Sequence, residues 1–229
     1  MQKQVVCCRI GLIMTAETKP SPRLSNLTGA KVAKAGDGDS DLVILAQKGD
    51  VDAFEKLVAR HQKRMLNIAF RLTGNYDDAC EVAQDVFVSA FKNLGTFRGE
   101  AKFLTWLTTI AVNLSKNRLK QMKSRQGREA YSLDDMIRTE DGEMIVDAPS
   151  GEPSVLDQLE KRDTQNRVQD CIKALEPEYR EVIVLRDMQD FSYDEIGGML
   201  KMREGTVKSR LFRAREAIKD CLKKIVGEL

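Results

Sequence analysis

Residues 176–224 constrain this chain more than any other stretch. They spell a short capped helix, a tight turn and a long helix with a basic outer face. Ser192-Tyr193-Asp194-Glu195 has the form of a capping box, in which the serine hydroxyl takes the backbone N–H three residues on and the glutamate reaches back. The pattern predicts a helix over 193–200, a turn over 201–205 and a longer helix beyond. On that helix Val207, Leu211, Ala214, Ile218, Leu222 and Ile225 recur every three or four residues and form one inward stripe. Ser209, Phe212 and Arg213 face away from the stripe, with Lys208, Arg210 and Arg215 flanking it. The helix is preceded by Arg203 or Glu204, neither a usual N-cap, and Gly205 reads as an ordinary turn glycine. A two-helix unit with cations on its exposed second helix suits the DNA major groove.

The same helical spacing fills the first half, and no useful run of alternating apolar residues occurs, so the fold class is all-α. A short helix is expected over 41–48, broken at Gly49-Asp50, then a long one over 51–72 with Phe54, Leu57, Val58, Met65, Leu66, Ile68, Ala69 and Leu72 at its apolar positions. Gly74 suits the C′ position after it. Asp77 or Asp78 is expected to cap a third helix, whose stripe is Ala79, Val82, Ala83, Val86, Phe87, Ala90, Phe91 and Leu94. A loop over 95–100 leads to a helix from 103 to about 123, with Phe103, Leu104, Leu107, Ile110, Ala111 and Leu114 turned inward. After an interruption, a helix over 155–175 restarts at Pro177, where the missing N–H costs nothing.

Charge divides the chain further. The net charge is only +2, so a nucleic-acid signal has to be local. Residues 113–128 carry Lys116, Arg118, Lys120, Lys123, Arg125 and Arg128 and no acid, whereas 132–152 carry seven acids against Arg138 alone. Gly142, Pro149, Gly151 and Pro153 mark that acidic segment as a flexible linker. The expected organisation is a disordered extension over 1–39, a helical domain over 40–126, the acidic linker over 127–155 and a helix-turn-helix domain over 156–229. Met14 is as good a start as Met1. An arginine interrupts the apolar patch before it, which argues against a signal peptide. No run of 18 apolar residues offers a membrane span.

Clustered histidines or carboxylates of the kind metal or proton-transfer catalysis needs are lacking, so an enzyme is not expected. With His61 the only histidine and no C-x-x-C among Cys7, Cys8, Cys80, Cys171 and Cys221, neither a metal nor a cofactor is expected. Cys80, Cys171 and Cys221 lie in helical patterns and read as small packing residues of a reduced cytoplasmic protein.

Four blocks together have a familiar order. They are DACEVAQDVFV from Asp78, FRGE from Phe97, TWLTTIAVN from Thr105, and Ser192-Tyr193-Asp194-Glu195-Ile196 followed by GTVKSRLFRAR from Gly205. In this order and spacing the chain resembles bacterial RNA polymerase sigma factors, in the extracytoplasmic-function (ECF) group of the sigma-70 family. The resemblance implies that the first domain is region 2 and the second region 4. It implies a core-polymerase surface at Glu81, Gln84 and Asp85, which would dock on the clamp helices of the β′ subunit, with further contact to the β subunit. It places promoter −10 contacts at Phe97, Asn113, Lys116, Asn117 and Lys120, where an extruded base needs an apolar wall and an amide. It places −35 contacts at Lys208, Ser209, Phe212 and Arg213. Many relatives have arginine where this chain has Lys208, and lysine lacks the bidentate fork that favours guanine. Trp106 reads as a core residue from its apolar-rich helix.

The function implied is promoter recognition and DNA melting for transcription initiation, with core RNA polymerase and promoter DNA as partners and no small-molecule substrate. A separate anti-sigma factor is the expected restraint and could hold a cytoplasmic chain at the membrane. The alternative is a polymerase-independent helix-turn-helix regulator, which requires a symmetric dimer. No dimerisation heptad supports it.

Overall fold

A computed structural model of the chain describes residues 38–129 and 166–226, and every regular element among them is helical. Most of the expected extension and of the acidic linker, with the start of the helix expected from 155, lie outside the described residues.

The first half is a helical bundle of α1 (Ser40–Gln47), α2 (Val51–Thr73), α3 (Tyr76–Asn93) and α4 (Phe103–Glu129). Asp50 caps α2 by accepting from the Ala53 N–H, and Gly74 ends it in the left-handed conformation with φ 74°. The cap of α3 corrects the expectation. Asn75, not Asp77 or Asp78, accepts from the Asp78 N–H, which leaves the Asp78 carboxylate to accept from Arg118 Nε at 2.6 Å. A single 3₁₀ turn, Leu94–Thr96, closes α3. Phe54, Leu57, Met65, Ile68, Val86 and Leu107 are completely buried between these helices. At roughly 1.5–3 kcal/mol for each large apolar side chain taken from water, this cluster is the main source of the bundle's stability. Before α1, Asp39 is buried and its carboxylate meets His61 Nε2 at 2.7 Å and the Arg60 guanidinium, pinning the start of the bundle to α2. His61 is therefore spent on a structural contact.

The second half holds helix α5 (residues 166–174), α6 (Pro177–Ile183) running into a wider π turn (Val184–Met188), α7 (Tyr193–Leu200) and α8 (Glu204–Val226). Pro177 opens α6 as expected, and the Ser192–Glu195 capping box is formed in both directions. The turn between α7 and α8 is shorter than expected, so Gly205 sits in the first turn of α8 with open space where a Cβ would be. The glycine that matters is Gly197. A Cβ there would lie 2.9 Å from the Met202 carbonyl, the approach that lets the turn fold back on α7.

Three further differences are physical. Helix α4 continues past 123 to Glu129. Its inward face is Phe103, Leu107, Ala111 and Val112, with Thr105, Thr108 and Ser115 also buried, while Leu104, Ile110 and Leu114 are only half-buried. Of these polar residues, Thr105 is covered from the second half, where it meets Glu195. Phe91, expected in the core, is 40% exposed, though its ring edge still meets Phe54 at 5.1 Å between centroids. Cys171 and Cys221, expected as packing residues, form a disulfide joining α5 to α8.

The two halves share one continuous apolar cluster. Across their seam Arg64 donates to the Gln189 side chain at 2.9 Å and to its carbonyl at 2.6 Å, and Arg71 donates to Gln169 at 2.7 Å. Arg180 is the keystone. Buried on α6, it donates to the carbonyls of Ile172, Lys173 and Leu175 at the end of α5, and to that of Leu72 at the end of α2, at 2.7 Å for the last. Helix C-termini leave carbonyls unpaired and carry partial negative charge. One guanidinium thus caps two helices, one from each half.

Candidate nucleic-acid and protein interfaces

Three surfaces gather the residues singled out from the sequence. The first runs along α4. Asn113, Lys116, Asn117 and Lys120 are all exposed and, with half-buried Trp106, fall at i, i+3, i+4 and i+7 spacings along one stripe. Phe97 stands at the head of this stripe. It is half-buried, with its ring centroid 5.1 Å from Trp106 and 5.9 Å from Phe103. Trp106 is thus a shared wall rather than pure core. The loop bearing Phe97 is fixed by Gln47, whose Nε2 donates to the Leu94 carbonyl at 2.9 Å and the Phe97 carbonyl at 2.8 Å. Gln47 carries no sequence signal, because its role depends on α1 lying beside a loop about fifty positions away.

The stripe is engaged by the second half at two points. Lys116 Nζ lies 2.9 Å from the Glu181 carboxylate of α6. Thr105 donates to Glu195 at 3.1 Å. Glu195 therefore serves twice, capping α7 with one carboxylate oxygen and holding α4 with the other. Burial pushes its carboxyl up, but hydrogen bonds from Ser192 and Thr105, with Lys102 nearby, outweigh this and hold it below its ordinary value.

The second surface is the outer face of α3. Glu81 and Asp85 are exposed and Gln84 is half-buried. Glu81 is 2.8 Å from Arg118, whose hydrogen bond to Asp78 raises the guanidinium pKa despite burial. Continuing along the same face are Val88 and Phe91, 39% and 40% exposed. On this face a polar patch thus runs into an exposed apolar pair.

The third surface is α8. Val207, Leu211 and Ala214 are buried, and Lys208, Ser209, Phe212 and Arg213 are exposed, Phe212 by 68%. The flanking cations divide by role. Arg215 makes a two-pronged contact with Asp187 at 2.9 and 2.6 Å, and Arg210 is 2.6 Å from Glu178, so both brace α8 against its own domain. Lys208 Nζ is 2.7 Å from Glu204 and 5.3 Å from the centre of the Tyr193 ring. The hydrogen bond to Glu204 raises the ammonium pKa. Among the described residues no group of histidine, cysteine and carboxylate side chains could hold a metal ion, and no helix is long and apolar enough to cross a membrane.

Comparison with known proteins covers both halves. The family described as Sigma-70 region 2 matches residues 57–125, and Sigma-70, region 4 matches residues 165–218. RNA polymerase sigma-H factor of Pseudomonas aeruginosa is 35% identical over 190 residues, covering 83% of this chain and 96% of that protein. The ECF RNA polymerase sigma-E factor of Escherichia coli K12 is 37% identical over 184 residues, covering 79% and 92%. In structure, CnrH in complex with the cytosolic domain of CnrY superposes with a TM-score of 0.59 at 26% identity, over 82% of this chain and 99% of CnrH.

Proposed function

Because this chain belongs to the ECF group of the sigma-70 family of RNA polymerase sigma factors, we propose the following division of labour. The α3 face at Glu81, Gln84 and Asp85, extended by Val88 and Phe91, docks on core RNA polymerase. The α4 stripe reads the −10 element. Phe97 and Trp106 wall a place for a base that has left the stack, Asn113 bonds its edge, and Lys116, Asn117 and Lys120 hold the backbone. Capturing an extruded base is what lets a factor without catalysis of its own favour strand opening. The exposed face of α8 reads the −35 element through Ser209, Phe212 and Arg213, with Lys208 on a phosphate.

The observation that supports this reading is that one chain presents two exposed stripes, each with its own aromatic and its own cations, beside a third face on which a polar patch runs into Val88 and Phe91. A polymerase-independent regulator has no use for the α4 stripe. The two promoter elements are centred about 25 base pairs apart, which is roughly 85 Å of duplex at about 3.4 Å per pair. Helices α4 and α7 touch in this packing, with Lys116 neutralised by Glu181. Promoter engagement therefore requires the two halves to separate, which a large partner such as core polymerase would impose. A second protein that holds the halves together is the matching restraint. CnrH is solved in complex with the cytosolic domain of CnrY, and we infer an anti-sigma partner for this chain as well.

Runoff transcription with core polymerase over a promoter library tests the reading. Transcripts that depend on both the chain and core are expected. Tight, sequence-specific duplex binding by the isolated chain, with no core-dependent transcript, would replace it with the regulator reading.

A further inference from the structure

The bond between Cys171 and Cys221 is unused by any of these surfaces, and it sits where it controls the packing. Cys171 is fully buried on α5 and Cys221 half-buried on α8, 50 positions apart in sequence, with Cα atoms 5.8 Å apart. That separation is well inside the range a disulfide spans. Beyond Ala214, no described side chain of α8 is fully buried. Ile218, Cys221 and Leu222 are only half-buried, and Lys219, Asp220, Lys223 and Lys224 are exposed. The sulfur bridge is thus a covalent hold on the last three turns of α8, where Ile218 also packs against the core. At its other end it grips α5, which meets the first half directly. Gln169, two residues before Cys171, takes the Arg71 guanidinium, and the carbonyls of Ile172 and Lys173, just after it, take Arg180, which also takes the Leu72 carbonyl.

We propose that Cys171 and Cys221 are a reversible dithiol–disulfide switch that locks the second half on the first when oxidised. The proposal rests on the sigma-factor reading, which places the chain beside RNA polymerase in a compartment that keeps thiols reduced. A disulfide there is transient and redox-sensing rather than a permanent staple. The oxidant is a hydroperoxide. The Cys221 thiolate, the more accessible of the two, attacks the peroxide O–O bond, gaining one oxygen as a sulfenic acid and releasing water or alcohol. The Cys171 thiolate then attacks the Cys221 sulfur, the S–S bond forms, and the second oxygen leaves as water. Two thiols lose two protons and two electrons, and one peroxide is reduced. A dithiol reductant reverses this by attack on the accessible Cys221 sulfur. With the bond open, the end of α8 loses its covalent anchor and α5 loses its tie to α8. The acceptors of Arg180 then loosen, and the seam with them.

The test uses the full chain with Cys7, Cys8 and Cys80 replaced by serine, leaving only the pair. After hydrogen peroxide, the intact mass should fall by two hydrogens and a maleimide-polyethylene glycol label should add to neither cysteine. After dithiothreitol it should add to both. Hydrogen exchange read by mass spectrometry should then be at least about tenfold faster in the reduced form over residues 215–226 and over Leu72 to Gly74. The same change should appear in Cys171→Ser/Cys221→Ser, now indifferent to peroxide. Should that variant fail to fold, the reduced parent supplies the measurement. Two labelled thiols after peroxide, or equal exchange in the two redox forms at the Leu72 end of the seam, would overturn the proposal. None of these readouts involves polymerase or promoter, so loss of the switch with intact runoff transcription refutes the switch alone, and the reverse result refutes the sigma-factor assignment of surfaces alone.

Discussion

Replacing Arg180 should cost more stability than replacing any other cation among the described residues. The side chain is buried and satisfies four backbone carbonyls, three at the end of α5 and one at the end of α2. Burial lowers its pKa, so the charge is held at a desolvation cost and is kept by those carbonyls. Arg180→Met keeps the length and apolar stem but removes every donor. The carbonyls stay behind in a closed site, so the relevant figure is the penalty for unsatisfied acceptors, roughly 1–3 kcal/mol each. Water reaches the Lys173 carbonyl most easily, because Lys173 is exposed, and the guanidinium's desolvation cost is recovered. Taking the low end for the remaining three gives a loss of about 3 kcal/mol. Urea unfolding followed by helical circular dichroism reads it, since at an m-value of about 2–3 kcal/mol/M the midpoint should fall by about 1 M or more. Arg180→Lys, a point charge with a shorter reach, should recover less than half. A midpoint for Arg180→Met within about 0.2 M of the parent would refute the view that one guanidinium caps both helices.

The other expectations are read at the proposed surfaces. Asn113→Ala should lower core-dependent transcription and flatten preference at one −10 base, at a cost of about 1–3 kcal/mol, whereas Phe212→Ala should change only the −35 profile; identical base profiles would contradict the division of labour. Reversing Asp85 to lysine should weaken capture of core polymerase with an unchanged circular dichroism spectrum, and unchanged affinity would remove α3 from that interface. For Lys208→Ala, −35 duplex binding should weaken about equally on all sequences and the salt slope should fall by roughly one, while a loss confined to one base position would show that Lys208 reads sequence. The Glu195 carboxyl titrates below its ordinary value of 4.5, so its contribution is present above pH 4.5 and fades as pH falls through the folded value. Carboxyl NMR should show this depressed pKa moving up toward 4.5 in Ser192→Ala, and an unmoved value would mean that the capping box does not set it.

Local chemistry was legible in the sequence and long-range contact was not. The capping box at Ser192, the proline at the start of α6, the left-handed Gly74 and the buried stripe Val207–Leu211–Ala214 depend on neighbours within a few residues, and each stands where its spacing put it. The cap of α3 differs from the expectation because Asn75, Asp77 and Asp78, within four positions, are all good capping types, and Asp78 is instead engaged by Arg118, forty positions away. Phe91 fits the apolar repeat of α3, yet it is 40% exposed and meets the core only through Phe54 among the described ring contacts. Thr105, a polar residue outside the apolar stripe of α4, is buried with its hydroxyl on Glu195, a partner ninety positions away. Cysteine pairing is equally invisible, since Cys171 and Cys221 meet only once α5 lies along α8.

The same distinction governs how the basic residues of α8 should be weighed. Counted along the sequence, Lys208, Arg210, Arg213 and Arg215 are equivalent contributors to a DNA-binding helix. In the fold they are not. Arg210 and Arg215 are paired with Glu178 of α6 and Asp187 of the π turn that follows it, and Lys208 is shared with Glu204 and the Tyr193 ring. Arg213 alone of the four makes no ion pair among the described residues and stands beside exposed Ser209 and Phe212. Its planar fork can therefore meet a base edge without first giving up a carboxylate. Lys208 has to share or surrender Glu204, and an ammonium already turned toward a carboxylate at the helix start is better matched to a phosphate, whose charge can replace that carboxylate in kind. Sequence preference at the −35 element should thus centre on Arg213, while Lys208 supplies affinity that falls with salt.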